Sequence, residues 1–123
     1  MKMLLVDDSK AVHAYIGSLL QGKNCDIISA YDGQSGLEIL RSQGDEIDLV
    51  LLDIEMPKMT GFEVLVEARK FSTDVPIIMV TSKNQPSEIT KLIEAGADEY
   101  IMKPFTEDIL ISKIEDTIER EIS

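Results

Sequence analysis

Charged side chains follow three apolar runs of this chain, each at the point where a run ends. Asp7 and Asp8 follow residues 3–6, Asp53 follows residues 49–52, and Lys103 follows residues 100–102. Short runs rich in Leu and Val are typical of buried parallel strands, which are covered on both faces and need not alternate. Ligands bind outside the carboxyl ends of such strands, so these groups are expected to converge at one rim of a sheet. Three carboxylates and an amine gathered there indicate a functional site, because such a cluster is costly for stability alone.

The elements that would position these residues alternate between strand and helix along the whole chain. Apolar runs predict five strands, at 2–6, 25–29, 48–52, 76–80 and 99–102. Helical spacing of apolar residues follows each strand, and the helix starts are marked by Ser9, a turn at 31–33, Thr60, Pro86 and Thr106. This alternation predicts an α/β fold with a parallel sheet covered by helices on both faces.

Size and composition narrow the classes of function. The 123 residues suit one domain with a single core, over 1–123, and no output domain is expected. The net charge of −11 argues against nucleic acid as a direct partner, because phosphate binding requires a basic face. No apolar run approaches the roughly 20 residues that span a bilayer, and no signal peptide is expected before Asp7. The single cysteine, Cys25, is interpreted as a small core residue, and a cytoplasmic location is expected.

Four motifs taken together resemble the receiver domains of two-component response regulators, and most closely the single-domain, CheY-like type. They are Leu5-Val6-Asp7-Asp8-Ser9, Leu52-Asp53-Ile54-Glu55-Met56-Pro57, Thr60-Gly61 and Lys103-Pro104-Phe105. The resemblance covers essentially the whole chain, including the order and approximate spacing of its elements. It implies a flavodoxin-like (βα)5 three-layer sandwich, whose parallel five-stranded sheet has the strand order 2-1-3-4-5.

The resemblance also assigns chemical roles. It implies that Asp53 accepts a phosphoryl group from a phosphohistidine of a partner histidine kinase, while Lys103 pairs with a phosphoryl oxygen. It implies a Mg²⁺ site with Asp8 and Asp53 as direct ligands, a water-bridged contact from Asp7, and the backbone carbonyl of Glu55. These roles suit the chemistry, since phosphoryl transfer needs positioning and charge compensation and Mg²⁺ prefers oxygen ligands.

A switch is implied at two further residues. The resemblance implies that the hydroxyl of Thr81 moves toward the phosphoryl group and that Tyr100 rotates inward. The alternative is that Tyr100 is an ordinary half-buried aromatic residue of a strand. One hydrogen bond to a charged group contributes roughly 1.5–3 kcal/mol, enough to bias a two-state element about tenfold. The resemblance implies a cis bond between Lys103 and Pro104, although sequence alone favours trans.

Glu55 and Lys83 depart from the residues found at these positions in the best-known chemotaxis receivers, and His13 lies outside the matching motifs. Glu55 and Lys83 lie two positions after Asp53 and Thr81, where they could pair across the mouth of the site and tune the phosphoryl lifetime. The alternative is two solvated loop charges. The only histidine, His13, is interpreted as a surface residue of the first helix rather than a phosphorelay histidine.

The leading hypothesis is therefore a stand-alone, monomeric response regulator, not an enzyme, whose phosphorylated form binds a protein target. Chemotaxis signalling to a flagellar motor switch is one expected output; a phosphate sink or a relay receiver acting on another protein in trans is the alternative. A haloacid-dehalogenase-like phosphatase would need the motif Asp-x-Asp after the strand, but its second acidic position is occupied here by Glu55. A flavodoxin-like cofactor carrier would need a Ser/Thr/Gly-rich phosphate loop, whereas Asp7 and Asp8 would repel phosphate.

Overall fold

A computed structural model of the chain describes residues 1–72, 74–82 and 85–122. The strands are β1 (Lys2–Val6), β2 (Asp26–Ala30), β3 (Leu49–Asp53), β4 (Ile77–Thr81) and β5 (Glu99–Met102). The helices are α1 (Lys10–Leu19), α2 (Gly33–Gln43), α3 (Gly61–Phe71), α4 (Pro86–Glu94) and α5 (Glu107–Ile118), with a 3₁₀ turn at Gly44–Glu46. Within the described ranges, no helix is long and apolar enough to cross a membrane.

All strand pairs are parallel, and the sheet has the order β2-β1-β3-β4-β5. This confirms the predicted fold class and strand order. The registers pair Val6 with Leu52 and Asp53 with Val80, so the carboxyl ends of β1, β3 and β4 lie at the same rim. The central position of β3 places the residue at its end between the loops that follow its two neighbours.

Two apolar cores lie on the two faces of the sheet. On one face, alternate strand residues pack against α2, α3 and α4; the buried helix residues there include Leu37, Leu40, Val64, Leu65 and Leu92. On the other face, the remaining strand residues pack against α1 and α5 through Ile16, Leu20, Leu110 and Ile114. Because both faces are covered, β3 and β4 are buried at every position, which explains their continuous apolar runs.

Side chains at the helix starts satisfy backbone N–H groups that have no partner within the helix. Ser9 accepts a hydrogen bond from the Val12 N–H at 3.2 Å, and Thr106 accepts one from the Ile109 N–H at 3.4 Å, as predicted. Asp32, in the predicted turn, also caps a helix by accepting from the Ser35 N–H at 2.7 Å. This backbone hydrogen bond lowers the pKa of Asp32.

The predicted bounds of β1 and β5 are confirmed, whereas β2, β3 and β4 each begin and end one residue later than predicted. At the start of β2, the Cys25 N–H donates to the carbonyl of Lys23 at 2.8 Å, so this residue still belongs to the preceding turn. Cys25 is partly exposed at the edge of the core, which corrects its interpretation as a core residue. Its partial burial raises the pKa of the thiol.

Candidate functional site

Three carboxylates meet at the carboxyl rim of the sheet. Oxygen atoms of Asp7, Asp8 and Asp53 all lie within 4.8 Å of one another. Asp7 and Asp53 are buried, at 1% and 4% exposure, whereas Asp8 is exposed. The Lys103 Nζ lies 3.0 Å from the Oδ1 of Asp53 and 3.4 Å from the Oδ2 of Asp7. The structure thus brings the four charged residues of the sequence pattern into one pocket.

The loop after β1 holds Asp7 through both its backbone and its side chain. The Asp7 N–H donates to the Ala30 carbonyl at 3.1 Å, which extends the pairing of β1 with β2 by one residue. The Asp7 Oδ1 accepts from the Ser9 N–H at 2.8 Å, in the turn that leads into α1. The side chain therefore points into the rim, while Asp8, one residue later, faces solvent.

The loop after β3 is held by the start of α3. The Ile54 N–H donates to the Val80 carbonyl at 3.1 Å, and the Ile54 carbonyl accepts from the Gly61 N–H at 2.9 Å. Gly61 is required here, because a Cβ atom would overlap the backbone carbonyl of Asp53. The close approach of the helix start therefore fixes the backbone that carries the Asp53 carboxylate.

The electrostatics of the pocket make the Asp53 carboxylate easier to protonate than an ordinary aspartate. Burial, aided by the nearby charges of Asp7 and Asp8, raises the pKa of Asp53 from 3.8 to about 6, although the hydrogen bond and charge of Lys103 oppose the shift. Burial alone would lower the pKa of Lys103, but its hydrogen bond to Asp53 and the charges of Asp53 and Asp7 outweigh burial and raise it. Lys103 therefore stays positively charged, and its single charge faces the three carboxylates of the pocket.

This donor set fits a divalent cation. Mg²⁺ prefers hard oxygen ligands and retains several waters, so a site open to solvent on the side of Asp8 suits it. A cation held by the three carboxylates would also relieve the repulsion that raises the pKa of Asp53. The residues present therefore fit the metal that the sequence analysis expected.

The ends of β4 and β5 also lie at this rim, where a backbone hydrogen bond joins them. Thr81, the last residue of β4, is 2% exposed, and its carbonyl accepts from the Lys103 N–H at 2.7 Å. The peptide bond between Lys103 and Pro104 is cis. Tyr100 is half-buried on β5, and the Lys113 Nζ lies 5.4 Å from the centre of its ring. Thr81 and Lys103 therefore lie at the rim, while Tyr100 lies further back along β5.

The predicted contact between Glu55 and Lys83 involves a residue, Lys83, that lies outside the described residues. Glu55 accepts a hydrogen bond from the Ser82 hydroxyl at 2.6 Å. This bond links the loop after β3 to the loop after β4 across the mouth of the pocket.

The interpretation of His13 as a surface residue is wrong. His13 is 8% exposed, with its Nε2 2.8 Å from the Asp7 carbonyl oxygen and its Nδ1 2.8 Å from the Ser29 hydroxyl. A sequence signal existed: His13 precedes Ile16 by three residues and Leu20 by seven, which places it on the apolar face of α1.

Comparisons with known proteins agree with this geometry. The family model for the response regulator receiver domain matches residues 3–115. The transcriptional regulatory protein DltR of Streptococcus agalactiae (serotype III, strain NEM316) is 40% identical over 114 residues, covering 93% of this chain and 50% of DltR. The transcriptional regulatory protein CpxR of Escherichia coli K12 is 35% identical over 119 residues, covering 97% of this chain and 50% of CpxR. The chain thus spans about half the length of these curated relatives.

Solved structures show the same likeness. The chemotaxis protein CheY4 of Vibrio cholerae superposes with a TM-score of 0.87 at 29% identity, covering 94% of this chain and 97% of that one. A CheY-like receiver domain protein from Methanospirillum hungatei JF-1 gives a TM-score of 0.88 at 30% identity, covering 96% and 93%. The fold, the acidic rim and the match over most of its length therefore establish that this chain belongs to the response regulator receiver domain family.

Proposed function

We propose that this chain is a phosphorylation-dependent switch in which Asp53 accepts a phosphoryl group from the phosphohistidine of a histidine kinase. The observation that carries the proposal is the placement of a buried carboxylate at the end of the central strand, 3.0 Å from the Lys103 Nζ and beside two further carboxylates. Receiver domains are phosphoacceptors, and a buried carboxylate beside a lysine suits such a transfer, which needs a positioned nucleophile and charge compensation.

The transfer uses the chain's own groups as follows. A carboxylate oxygen of Asp53 attacks the phosphorus atom, a P–O bond forms, and the P–N bond to the kinase imidazole breaks. The electron pair of that bond stays on the imidazole nitrogen, which then takes a proton from solvent. Lys103 compensates negative charge on the phosphoryl oxygens, and a pKa of about 6 leaves Asp53 mainly ionised and nucleophilic at neutral pH.

The acidic cluster would hold a Mg²⁺ ion through Asp8 and Asp53, with Asp7 in water-bridged contact and the Glu55 carbonyl as a further oxygen ligand. Bound there, the ion would supply positive charge that offsets the carboxylates and the incoming phosphoryl group. Asp7 is held in place by the Ser9 N–H and Lys103, so its charge is positioned before any cation arrives.

Two groups suit the switch. The buried Thr81 is joined to Lys103 through the backbone, so a shift of its hydroxyl toward a phosphoryl oxygen would act on the loops after β4 and β5. Tyr100 lies on β5, where Lys113 approaches its ring and also pairs with Glu99 at 3.2 Å. We propose that phosphorylation at Asp53 changes this β5 surface and thereby partner binding. Glu55, bonded to Ser82, is proposed to tune the phosphoryl lifetime, together with Lys83 as the sequence analysis expected.

The target of the phosphorylated form is a further part of the proposal. The relatives DltR and CpxR are named as transcriptional regulators and are about twice as long as the matched segment, whereas CheY4 is named as a chemotaxis protein and is matched over nearly its full length. The match to CheY4 supports a diffusible chemotaxis messenger, and the relatives support control of transcription through another protein or module. A monomeric, stand-alone receiver in chemotaxis therefore stays a prediction.

The phosphoacceptor proposal is tested by mass spectrometry after incubation with acetyl phosphate and Mg²⁺. The wild-type chain should gain one phosphoryl group, and Asp53→Asn should gain none. Asp26→Asn, at the exposed start of β2, is the matched control and should behave as the wild type does. Asp8→Asn should retain the acceptor but lose most of the dependence on Mg²⁺. Full modification of Asp53→Asn would refute the assignment.

A further inference from the structure

His13 lies behind the acidic pocket and is joined to it through the backbone carbonyl of Asp7. Its imidazole is buried between α1 and the end of β2, and its ring centre lies 4.3 Å from that of Tyr31 with a tilt of 36°. Its Nε2 lies 2.8 Å from the Asp7 carbonyl oxygen, and its Nδ1 lies 2.8 Å from the Ser29 Oγ. Both ring nitrogens therefore have partners, and the Tyr31 ring confines the ring orientation.

The chemistry of these partners determines the tautomer. A peptide carbonyl oxygen can only accept, so the Nε2 of His13 must carry a hydrogen and donate it to Asp7. A hydroxyl can donate or accept, so Ser29 can donate to an unprotonated Nδ1. The Nε2–H of His13 is therefore directed at one atom of the β1–α1 loop.

That atom belongs to the peptide group between Asp7 and Asp8. A peptide group is planar, so a hydrogen bond to the Asp7 carbonyl restrains the Cα positions of both residues. The Asp7 N–H is bonded to Ala30 and its Oδ1 to the Ser9 N–H, so the first carboxylate has other restraints. Asp8 is exposed, and the His13 bond restrains the backbone from which its side chain departs.

We infer that His13 is a positioning residue for the acidic pocket: by holding the Asp7–Asp8 peptide plane, it orients the two adjacent carboxylates toward a divalent cation. The inference rests on the proposed function, because it concerns the metal site described there. Groups that orient metal ligands typically change metal affinity 10–100-fold when they are removed. Because His13 acts through the backbone, the low end of this range, about tenfold, is expected.

The experiment titrates the full chain with MgCl₂ and follows the backbone amide resonances of the rim by NMR. His13→Phe preserves an aromatic ring against Tyr31 but removes the donor, and it should weaken Mg²⁺ binding about tenfold. His13→Gln places an amide N–H near the position of Nε2, and it should restore the affinity to within about twofold of wild type, on the same reasoning. Ser18→Ala is the control on the same helix, because the Ser18 hydroxyl bonds only to the Tyr15 carbonyl among the described residues, and it should leave the affinity unchanged.

A second measurement needs neither a variant nor the metal. The ¹⁵N shifts of the wild-type imidazole should show a hydrogen on Nε2; a hydrogen on Nδ1 alone would overturn the inference, because Asp7 would then receive no bond. If Mg²⁺ binds wild type and His13→Phe equally, or if His13→Gln binds as weakly as His13→Phe, the positioning role is overturned while the metal site stands. If wild type itself shows no response to Mg²⁺, the metal site of the proposed function fails, and the positioning inference fails with it even where the tautomer agrees.

Discussion

Helices α3 and α4 follow neighbouring strands that end at the same rim, but they are held very differently. α3 begins with a capping box, in which Thr60 and Glu63 satisfy each other's backbone N–H groups, and it buries Val64, Leu65 and Ala68. Of the described residues of α4, Leu92 alone is buried, and Ile93 is 46% exposed. Gln85 makes no side-chain capping bond within the part of the chain that the structure describes.

The difference matters because the two helices have different tasks in the proposed switch. α3 supports the backbone of Asp53, where a nucleophile must be held in place. α4 follows Thr81, where a response to phosphorylation must begin. Segments with few buried apolar contacts open at low free-energy cost, so backbone amides of α4 should exchange with solvent faster than those of α3. In the proposed switch, the closely packed α3 would thus hold the acceptor, and the less buried α4 would respond to phosphorylation.

The largest effect is expected where α3 meets β3. A Cβ atom introduced by Gly61→Ala would overlap the Asp53 carbonyl and lie 2.7 Å from the Ile54 Cα, both of them backbone groups that cannot rotate away. We expect a loss of at least about 3 kcal/mol in the free energy of unfolding, measured by urea denaturation. At Gly17 on α1, a Cβ would meet no described atom within 4 Å, so Gly17→Ala should stabilise by about 0.5–1 kcal/mol. Equal, small effects at the two glycines would show that α3 is not closely anchored to β3.

The next largest effect concerns Asp53 and its pH dependence in metal-free buffer. Because the pKa is raised from 3.8 to about 6, the folded state binds a proton more tightly than the unfolded chain, and stability falls as pH rises through this window. Asp53→Asn removes the buried charge, so it should raise the free energy of unfolding at pH 7.5 by about 2–3 kcal/mol.

This gain should disappear near pH 4, where the Asp53 carboxyl of the folded wild type is protonated. Urea denaturation at the two pH values in EDTA measures it, with Asp26→Asn as the control for loss of an exposed charge. A gain that is the same at both pH values would contradict the raised pKa.

A smaller effect tests the anchoring of α3 directly. Thr60→Ala removes the hydroxyl that accepts from the Glu63 N–H at 3.2 Å, and it should lower the free energy of unfolding by about 1 kcal/mol. Thr90→Ala, at an exposed position within α4, is the matched control and should be neutral or slightly stabilising because alanine has the higher helix propensity. A larger loss at Thr90 than at Thr60 would reverse the proposed ranking of the two helices.

The smallest effect is expected at the N-terminus of α4. Gln85 has extended backbone angles suited to an N-cap (φ −71°, ψ 129°), so Gln85→Ser should supply the missing side-chain cap and stabilise the helix by about 0.5 kcal/mol. Since α4 is expected to open locally, the gain should appear as slower hydrogen exchange in α4, with little change in global unfolding. Unchanged exchange in α4 would show that its opening does not depend on its N-terminus.

Much of the architecture could be predicted from local patterns. The bounds of β1 and β5, the caps Ser9 and Thr106, and the strand order implied by the family resemblance are confirmed. The shifted bounds of β2 depend on the Cys25 N–H, which turns back to Lys23 instead of pairing with β1. Whether this N–H bonds within the turn or to a strand depends on where the neighbouring strand lies. A local sequence pattern carries no information on that position.

The sequence by itself determined which residue types stand at the strand ends, because buried parallel strands need continuous apolar runs and the first charged residue must lie where the sheet ends. Asp7, Asp8, Asp53 and Lys103 follow from that rule. The tertiary structure alone decided the burial of His13 and its bond to the Asp7 carbonyl, since these depend on α1 packing beside Ser29 of β2. It also decided the raised pKa of Asp53, because desolvation and charge proximity arise only when residues distant in the chain close around the carboxylate.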